Sequence, residues 1–210
     1  MKQLAGDRIR IEGRVFALAL SPQDYVQRFG SPARAKAEIL KQWAAAAREP
    51  GGERINTDLM ASRPFPYPAS LSILAGVKAA EQQGGFLAHG TYFEHAQEAH
   101  LIQCRNVGDR KVLLDLAQDL ALDLGQFEAD LVSGACDRAV AAEAQAARAR
   151  GIQSTPTVVF ADRWALAGAV PVENYLALLK DLVTGQDPRD TAATAQQASS
   201  LRRPYRVGPP

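Results

Sequence analysis

The sequence is poor in cysteine. Its 210 residues include only Cys104 and Cys136, and neither belongs to a Cys-x-x-Cys motif. The chain as written therefore lacks the usual redox pair and cannot form a four-cysteine zinc site. Such sparse cysteine usage is typical of a reducing compartment, so we expect a cytoplasmic protein. For each thiol we expect a small buried side chain without a redox role, and the sequence leaves a disulfide between the two open.

The sequence also lacks a long hydrophobic run and an excess of charge of either sign. The formal net charge is +1, and no basic stripe interrupts the mixed charges. This balance argues against nucleic acid or a charged membrane surface as a partner. The apolar run at residues 15–20 is too short to span a bilayer and has no convincing cleavage site after it. We therefore expect no membrane association and no export signal.

No metal-binding pattern is present, and we expect no metal or other cofactor. His89, His95 and His100 are six and five residues apart, so they do not share one face of a helix. His95 and Glu98 are three apart and could meet on a helix surface, which we interpret as a hydrogen bond without catalytic consequence. The acidic residues that recur along one side of the next helix are interpreted as a solvated face: Asp115, Asp119 and Asp123.

The most informative stretch surrounds Thr155-Pro156. Pro156 leads directly into the β-branched run at 157–160, and Asp162-Arg163 turns the chain into a second short strand that stops at Gly168. This pattern predicts a β-hairpin. Proline cannot donate a ladder hydrogen bond, so its place at the start of a strand predicts a turn, often with a cis peptide bond.

The rest of the chain is predicted to be largely helical. A strand is expected over Arg8 to Leu18, because apolar and charged residues alternate there before an apolar stretch. Capping residues, prolines and glycines then predict helices at 22–29, 32–48, Ser70 to Gly84, 86–103, from Asp109, 136–150, and from Pro171 to Gly185. From Gln186 onward the composition predicts a mobile tail.

The hairpin and its surroundings resemble the end of a DsbA-like domain of the thioredoxin fold, and most closely the cytoplasmic FrnE-like oxidoreductases. The resemblance rests on Ser154-Thr155-Pro156-Thr157, on Gly168-Ala169-Val170-Pro171 and on the order of the weaker motifs before them. It implies an α/β thioredoxin-like fold that lacks its first strand and carries a large all-α insertion domain. The implied domains are a discontinuous thioredoxin-like domain at 1–20 and 152–185, a helical insertion domain at 21–151, and a disordered tail at 186–210.

The resemblance also implies thiol–disulfide oxidoreductase activity. In that family a loop matching Ser154, Thr155 and Pro156 binds an extended peptide or a thiol substrate opposite a Cys-x-x-Cys pair. That pair is absent here, so no catalytic residue is assigned in this chain. Because Met1 falls where the helix that carries the pair would lie, we expect the natural protein to begin upstream. The alternative is a real short form that closes the gap by direct strand pairing or by forming a homo-oligomer.

Two other functions remain open on the same residues. The first is a non-catalytic protein that binds peptides through the Thr155-Pro156 loop. The second is a glutathione-dependent enzyme, since kappa-class glutathione transferases and 2-hydroxychromene-2-carboxylate isomerases share this layout and bind glutathione. The expected partners are therefore a protein or a small thiol or disulfide substrate.

Overall fold

Helices dominate the computed structural model, which describes residues 10–187 and 204–208. Contacts divide the chain into two compact units, Met1–Glu143 and Ala144–Pro210. The helices are α1 Pro22–Phe29, α2 Pro32–Ala46, α3 Thr57–Ser62, α4 Ser70–Gln97, a π-helical turn Glu98–Ile102, α5 Arg110–Asp119, α6 Leu124–Val132, α7 Ala135–Ala149 and α8 Val172–Thr184. The strands are β1 Thr157–Phe160, β2 Trp164–Ala167 and β3 Tyr205–Arg206.

The predicted hairpin is confirmed. Strands β1 and β2 pair antiparallel, with Thr157 opposite Ala167 and Phe160 opposite Trp164. The chain reverses through Ala161 and Asp162, whose φ angles of 46° and 54° are left-handed. Left-handed turn residues match the twist of the flanking strands, which explains why the turn is tight.

The helix boundaries follow the local signals in the sequence. Ser21 and Ser31 precede α1 and α2, and a proline stands in the first turn of each helix. In α4 the backbone leaves helical geometry at Gly84 and Gly85, so the break that these glycines predict is confirmed as a kink. At the end of α8, Gly185 adopts a φ of 73°, which favours glycine.

The strand predicted over 8–18 is wrong for the residues that the structure describes, because 10–17 have no strand assignment. The backbone of this stretch forms hydrogen bonds with side chains and with the first residue of a helix. The Val15 N–H donates to Glu143 Oε2 at 2.7 Å, and the Ala19 carbonyl accepts from the Ser70 N–H at 3.0 Å. In the apolar stretch that follows the predicted alternation, every second side chain is buried: Val15, Ala17 and Ala19. Residues 8 and 9 lie outside the described part.

The disordered tail predicted at 186–210 is wrong for residues 204–208. Tyr205 and Arg206 form β3, which lies antiparallel to β2. Backbone pairing of this kind needs no large apolar side chain, and composition was the only basis for the prediction. Residues 188–203 and 209–210 of the predicted tail lie outside the described residues. The grouping of 1–20 with 152–185 in one domain stays a prediction.

Each unit has its own apolar core. In Met1–Glu143 one cluster is built by Leu40, Trp43, Met60 and Cys104. In Ala144–Pro210 the cluster comprises Phe160, Trp164, Leu166 and Leu178. Within the described residues, no helix is both long enough and apolar enough to cross a membrane.

Candidate functional site

The three residues predicted to bind substrate form one exposed turn. Ser154, Thr155 and Pro156 are all exposed, and the Thr155–Pro156 peptide bond is cis. The Thr157 hydroxyl donates to the Ser154 carbonyl at 2.8 Å, and the Gly168 N–H donates to the Pro156 carbonyl at 2.7 Å. These bonds fix the turn at the point where it enters β1.

Strand β1 presents one open edge beside this turn. Because the Pro156 carbonyl faces β2, the two-residue period of a strand turns the backbone groups of Val158 and Phe160 toward β2 as well. The backbone groups of Thr157 and Val159 therefore face the opposite side. Over 10–187 and 204–208, β1 has a strand neighbour only at β2. An edge with free N–H and C=O groups can receive an extended chain.

Neither thiol is placed for redox chemistry. Cys104 and Cys136 are both buried and both free, so the disulfide that the sequence left open does not form. The Cys104 thiol donates to the Asn56 carbonyl at 3.2 Å. Burial raises the pKa of both thiols above the ordinary value, although the Arg63 and Lys36 charges offset part of the shift at Cys104. A raised pKa reduces the thiolate fraction, which is the reactive form.

A buried ion network in the helical unit was not foreseen. Lys78 Nζ lies 2.5 Å from Glu81 Oε2 and 2.9 Å from Glu143 Oε1, and its side chain is 8% exposed. His89 Nδ1 lies 2.9 Å from the same Glu81 oxygen. Burial alone would raise the pKa of Glu81, but hydrogen bonds from Lys78 and His89 hold it below the ordinary value. For Lys78, burial opposes the charge and the two carboxylates outweigh it, so its pKa is raised.

This network borders a cleft of about 310 Å³. Gly13 makes room for the His89 ring, since a Cβ at that position would lie 2.7 Å from Nε2. Because a carboxylate only accepts, Glu81 keeps the proton of His89 on Nδ1 and leaves Nε2 for the cleft side. A sequence signal for the network exists in retrospect: Lys78 interrupts a run of small apolar residues and has Glu81 three positions later.

A second histidine, His100, is half-buried and has a different environment. Trp43 Nε1 donates to the Tyr67 hydroxyl at 3.2 Å, and that hydroxyl lies 2.9 Å from His100 Nε2. Burial lowers the pKa of His100 to about 4. The Arg105 backbone offsets part of this shift, although Nδ1 lacks a hydrogen bond of good geometry. His100 is therefore a neutral acceptor for the tyrosine at neutral pH.

The other candidate side chains have ordinary partners. His95 Nδ1 contacts the Thr91 carbonyl at 3.0 Å, while Glu98 pairs with Arg54 at 3.2 Å. They do not form an acid–base pair with each other. Within the part of the chain that the structure describes, no group of three or more His, Cys, Asp or Glu side chains is placed to hold a metal ion.

Comparisons with known proteins agree with this architecture. A sequence model of the thioredoxin family matches residues 27–177. The chain is 30% identical over 132 residues to the ClpXP adapter protein SpxH of Shouchella clausii, covering 60% of this chain and 42% of that protein. It is 33% identical over 95 residues to SpxH of Bacillus subtilis, covering 45% of this chain and 30% of that protein. The chain thus spans less than half the length of these curated relatives.

The fold itself is also found in a solved structure. A crystal structure from Nitrosomonas europaea, provisionally named a protein disulfide isomerase, superimposes with a TM-score of 0.63. The identity is 19%, and the match covers 84% of this chain and 80% of that chain. At this identity the likeness concerns the fold alone. The family match over residues 27–177 shows that the chain belongs to the DsbA-like thioredoxin family.

Proposed function

We propose that this protein is a non-catalytic peptide-binding member of its family, which receives an extended segment of a partner protein at the Thr155-Pro156 turn and the open edge of β1. The observation that carries the proposal is the open edge itself. Thr157 and Val159 direct their backbone groups away from β2, next to an exposed turn. Strand addition supplies affinity through backbone hydrogen bonds, so it suits a protein that must bind varied sequences.

The thiols support a binding role over a catalytic one. Thiol–disulfide exchange starts with attack by an accessible thiolate. Cys104 and Cys136 are buried, and burial raises the pKa of each. The described chain therefore offers a strand edge for binding and no exposed thiol.

The relatives support a protein as the partner. Both SpxH proteins are named as adapters of ClpXP, a name that describes contact between proteins. We extend to this chain only that general property, which is contact with another polypeptide. The part of a partner that fits the edge of β1 is an unfolded or extended segment, because only an extended backbone matches the spacing of Thr157 and Val159.

The test is a matched pair of substitutions at Val159. Val159→Pro removes the outward N–H but leaves the β1–β2 ladder, since proline is tolerated on an edge strand where the N–H faces away from the partner. Val159→Thr keeps the N–H and serves as the control. The probe is reduced, carboxymethylated α-lactalbumin, a permanently unfolded protein, and binding is measured by fluorescence anisotropy.

We expect Val159→Pro to weaken binding by about tenfold or more, since each lost backbone hydrogen bond in a desolvated interface also leaves its partner unsatisfied. Val159→Thr should bind like the original protein. Equal binding by both variants, or no binding of the probe by the unmodified protein, would contradict the proposal.

The second candidate function is thiol–disulfide exchange of the FrnE type, which family membership favours. In this chain the exchange would have to use Cys104 or Cys136. We expect reduction of a fluorescent disulfide peptide by dithiothreitol or glutathione to proceed at the same rate with and without the protein. An acceleration that disappears in the double variant Cys104→Ala, Cys136→Ala would establish the oxidoreductase instead. An acceleration seen only with glutathione would point to the glutathione-dependent alternative.

A further inference from the structure

The chain fills one of its own sheet edges with its C-terminal residues. Tyr205 lies opposite Ala165 and Arg206 opposite Trp164 in antiparallel register. The Val207 N–H donates to the Arg163 carbonyl at 2.9 Å. Because Arg163 faces β3, the two-residue period turns the backbone of Ala165 toward β3 too. The outer edge of β2 therefore accepts an extended segment that runs antiparallel to it.

Two arginine side chains complete this contact. The Arg206 guanidinium lies 5.1 Å from the centre of the Trp164 ring, within the range of a cation–π interaction. Arg150 Nε donates to the Gly208 carbonyl at 3.2 Å, and its Nη2 donates to the Asp162 carbonyl at 3.0 Å. Arg150 thus ties the end of the docked segment to the β1–β2 turn. Arg206 is recognised through its side chain, whereas Tyr205, Val207 and Gly208 are bound through their backbone groups.

The docked segment is small and replaceable. Strand β3 has only two residues, and its partners on β2 are mainly backbone groups, which do not distinguish one sequence from another. A segment that is held by so few hydrogen bonds needs only a small free energy to detach from the sheet. Residues 185–203 separate it in sequence from α8, so the segment is an intramolecular ligand of β2.

We propose that the outer edge of β2 is a docking site for an extended segment of another protein that carries an arginine opposite Trp164, and that residues 204–208 are its intramolecular competitor. This site is distinct from the open edge of β1, because the Ala165 backbone and the Arg163 carbonyl face away from β1. A foreign segment reproduces the pairing to Ala165 and the cation over Trp164, and it displaces Pro204–Gly208 only when its affinity or local concentration exceeds that of the tethered segment.

The test uses the 210-residue chain and weakens the docking of residues 204–208 on β2. Val207→Pro removes the N–H that donates to Arg163, whereas the control Val207→Ala keeps it. The probe is a synthetic peptide with the sequence of residues 203–210, Arg-Pro-Tyr-Arg-Val-Gly-Pro-Pro. A second peptide replaces the arginine that corresponds to Arg206 with alanine. Binding is followed by NMR at the Trp164 indole and at the Ala165 amide.

We expect the peptide to bind Val207→Pro saturably and to bind Val207→Ala at least about tenfold more weakly, because the tethered segment competes only in the control. The alanine peptide should bind Val207→Pro several-fold more weakly, by the loss of the cation–π contact. The proposal fails if Val207→Pro, with its β1–β2 signals intact, does not bind the peptide. It also fails if the control binds equally well.

Two further outcomes also decide the matter. If Val207→Pro loses the β1–β2 signals, the measurement is repeated with Arg206→Ala in the full chain, and absence of binding there overturns the proposal. If the Trp164 and Ala165 signals shift with protein concentration in the absence of peptide, the occupant is a second copy of this chain, and a foreign partner is overturned. Because the readouts lie on β2, failure here leaves the Val159 test of the β1 edge unaffected.

Discussion

The two units handle polar groups in opposite ways. In Met1–Glu143 the buried Lys78 ammonium is paired with the half-buried carboxylates of Glu81 and Glu143. In Ala144–Pro210 the backbone groups of Thr157 and Val159 lie at a strand edge that no described strand covers. A network whose charges pair with one another mainly stabilises its own structure, whereas an open edge gains hydrogen bonds only when another chain arrives. This contrast supports the proposal that binding takes place in Ala144–Pro210.

The sharpest test of the Lys78 network is Lys78→Met. Removal of the ammonium leaves Glu81 and Glu143 as neighbouring carboxylates without their shared cation, so we expect a loss of about 3–5 kcal/mol in the free energy of unfolding. Urea denaturation measures it. The control is Lys41→Met, which removes an exposed pair with Glu38 and should cost less than about 1 kcal/mol. Equal losses at the two sites would show that the Lys78 network contributes no more to the free energy of unfolding than an exposed ion pair does.

Proline substitutions test which side of β1 is open. Val158→Pro removes an N–H that faces β2 and should cost about 3 kcal/mol, as proline does wherever it breaks an internal hydrogen bond. Val159→Pro removes an outward N–H and should cost less than about 1 kcal/mol. Thermal denaturation of the two variants gives the comparison. If Val159→Pro were the more damaging, the orientation of the strand would be the reverse of our description.

The pH dependence of stability tests the environment of His100. The pKa of His100 in the folded protein is about 4, below its ordinary 6.5. Between these two pH values the unfolded chain binds a proton at His100 and the folded chain does not. The free energy of unfolding should be highest above pH 6.5 and should fall by up to about 3 kcal/mol as the pH approaches 4. His100→Leu should remove that part of the slope, and His95→Leu, at an exposed site, should not. Identical slopes in both variants would contradict a neutral, half-buried His100.

The smallest expected effect concerns β3. Arg206→Ala removes the cation above Trp164 and should destabilise the docked segment by about 0.5–1 kcal/mol without changing global stability. Hydrogen exchange at the Ala165 amide reports this local change. A change in the unfolding midpoint of the whole protein would show instead that β3 is an integral part of the fold.

Local sequence signals predicted the elements that depend on neighbouring residues. The hairpin, the Ser-Pro helix starts at Ser21 and Ser31, and the break at Gly84-Gly85 follow from backbone preferences that act within a few positions. The strand predicted at 8–18 depends on a distant partner, and in the structure Glu143 takes the Val15 N–H instead. Alternating burial alone could not reveal that choice.

The candidate site was predictable only in part. Pro156 stands out because a proline at a strand entrance predicts a turn. The binding role of Ser154, Thr155 and Pro156 came from the family resemblance and stays a prediction. The Lys78 network joins residues 65 positions apart, from Lys78 to Glu143, and no spacing rule links such residues. For the same reason the docking of 204–208 on β2 could not be predicted, since a two-residue pairing leaves no periodic pattern in the sequence.

The most direct measurement of the central claim is hydrogen exchange at the Thr157 and Val159 amides, with and without carboxymethylated α-lactalbumin. Both amides face the open edge, so we predict rapid exchange in the free protein and marked slowing when the unfolded chain binds, while the Val158 amide stays protected throughout. Binding that leaves the exchange of Thr157 and Val159 unchanged would contradict strand addition at β1.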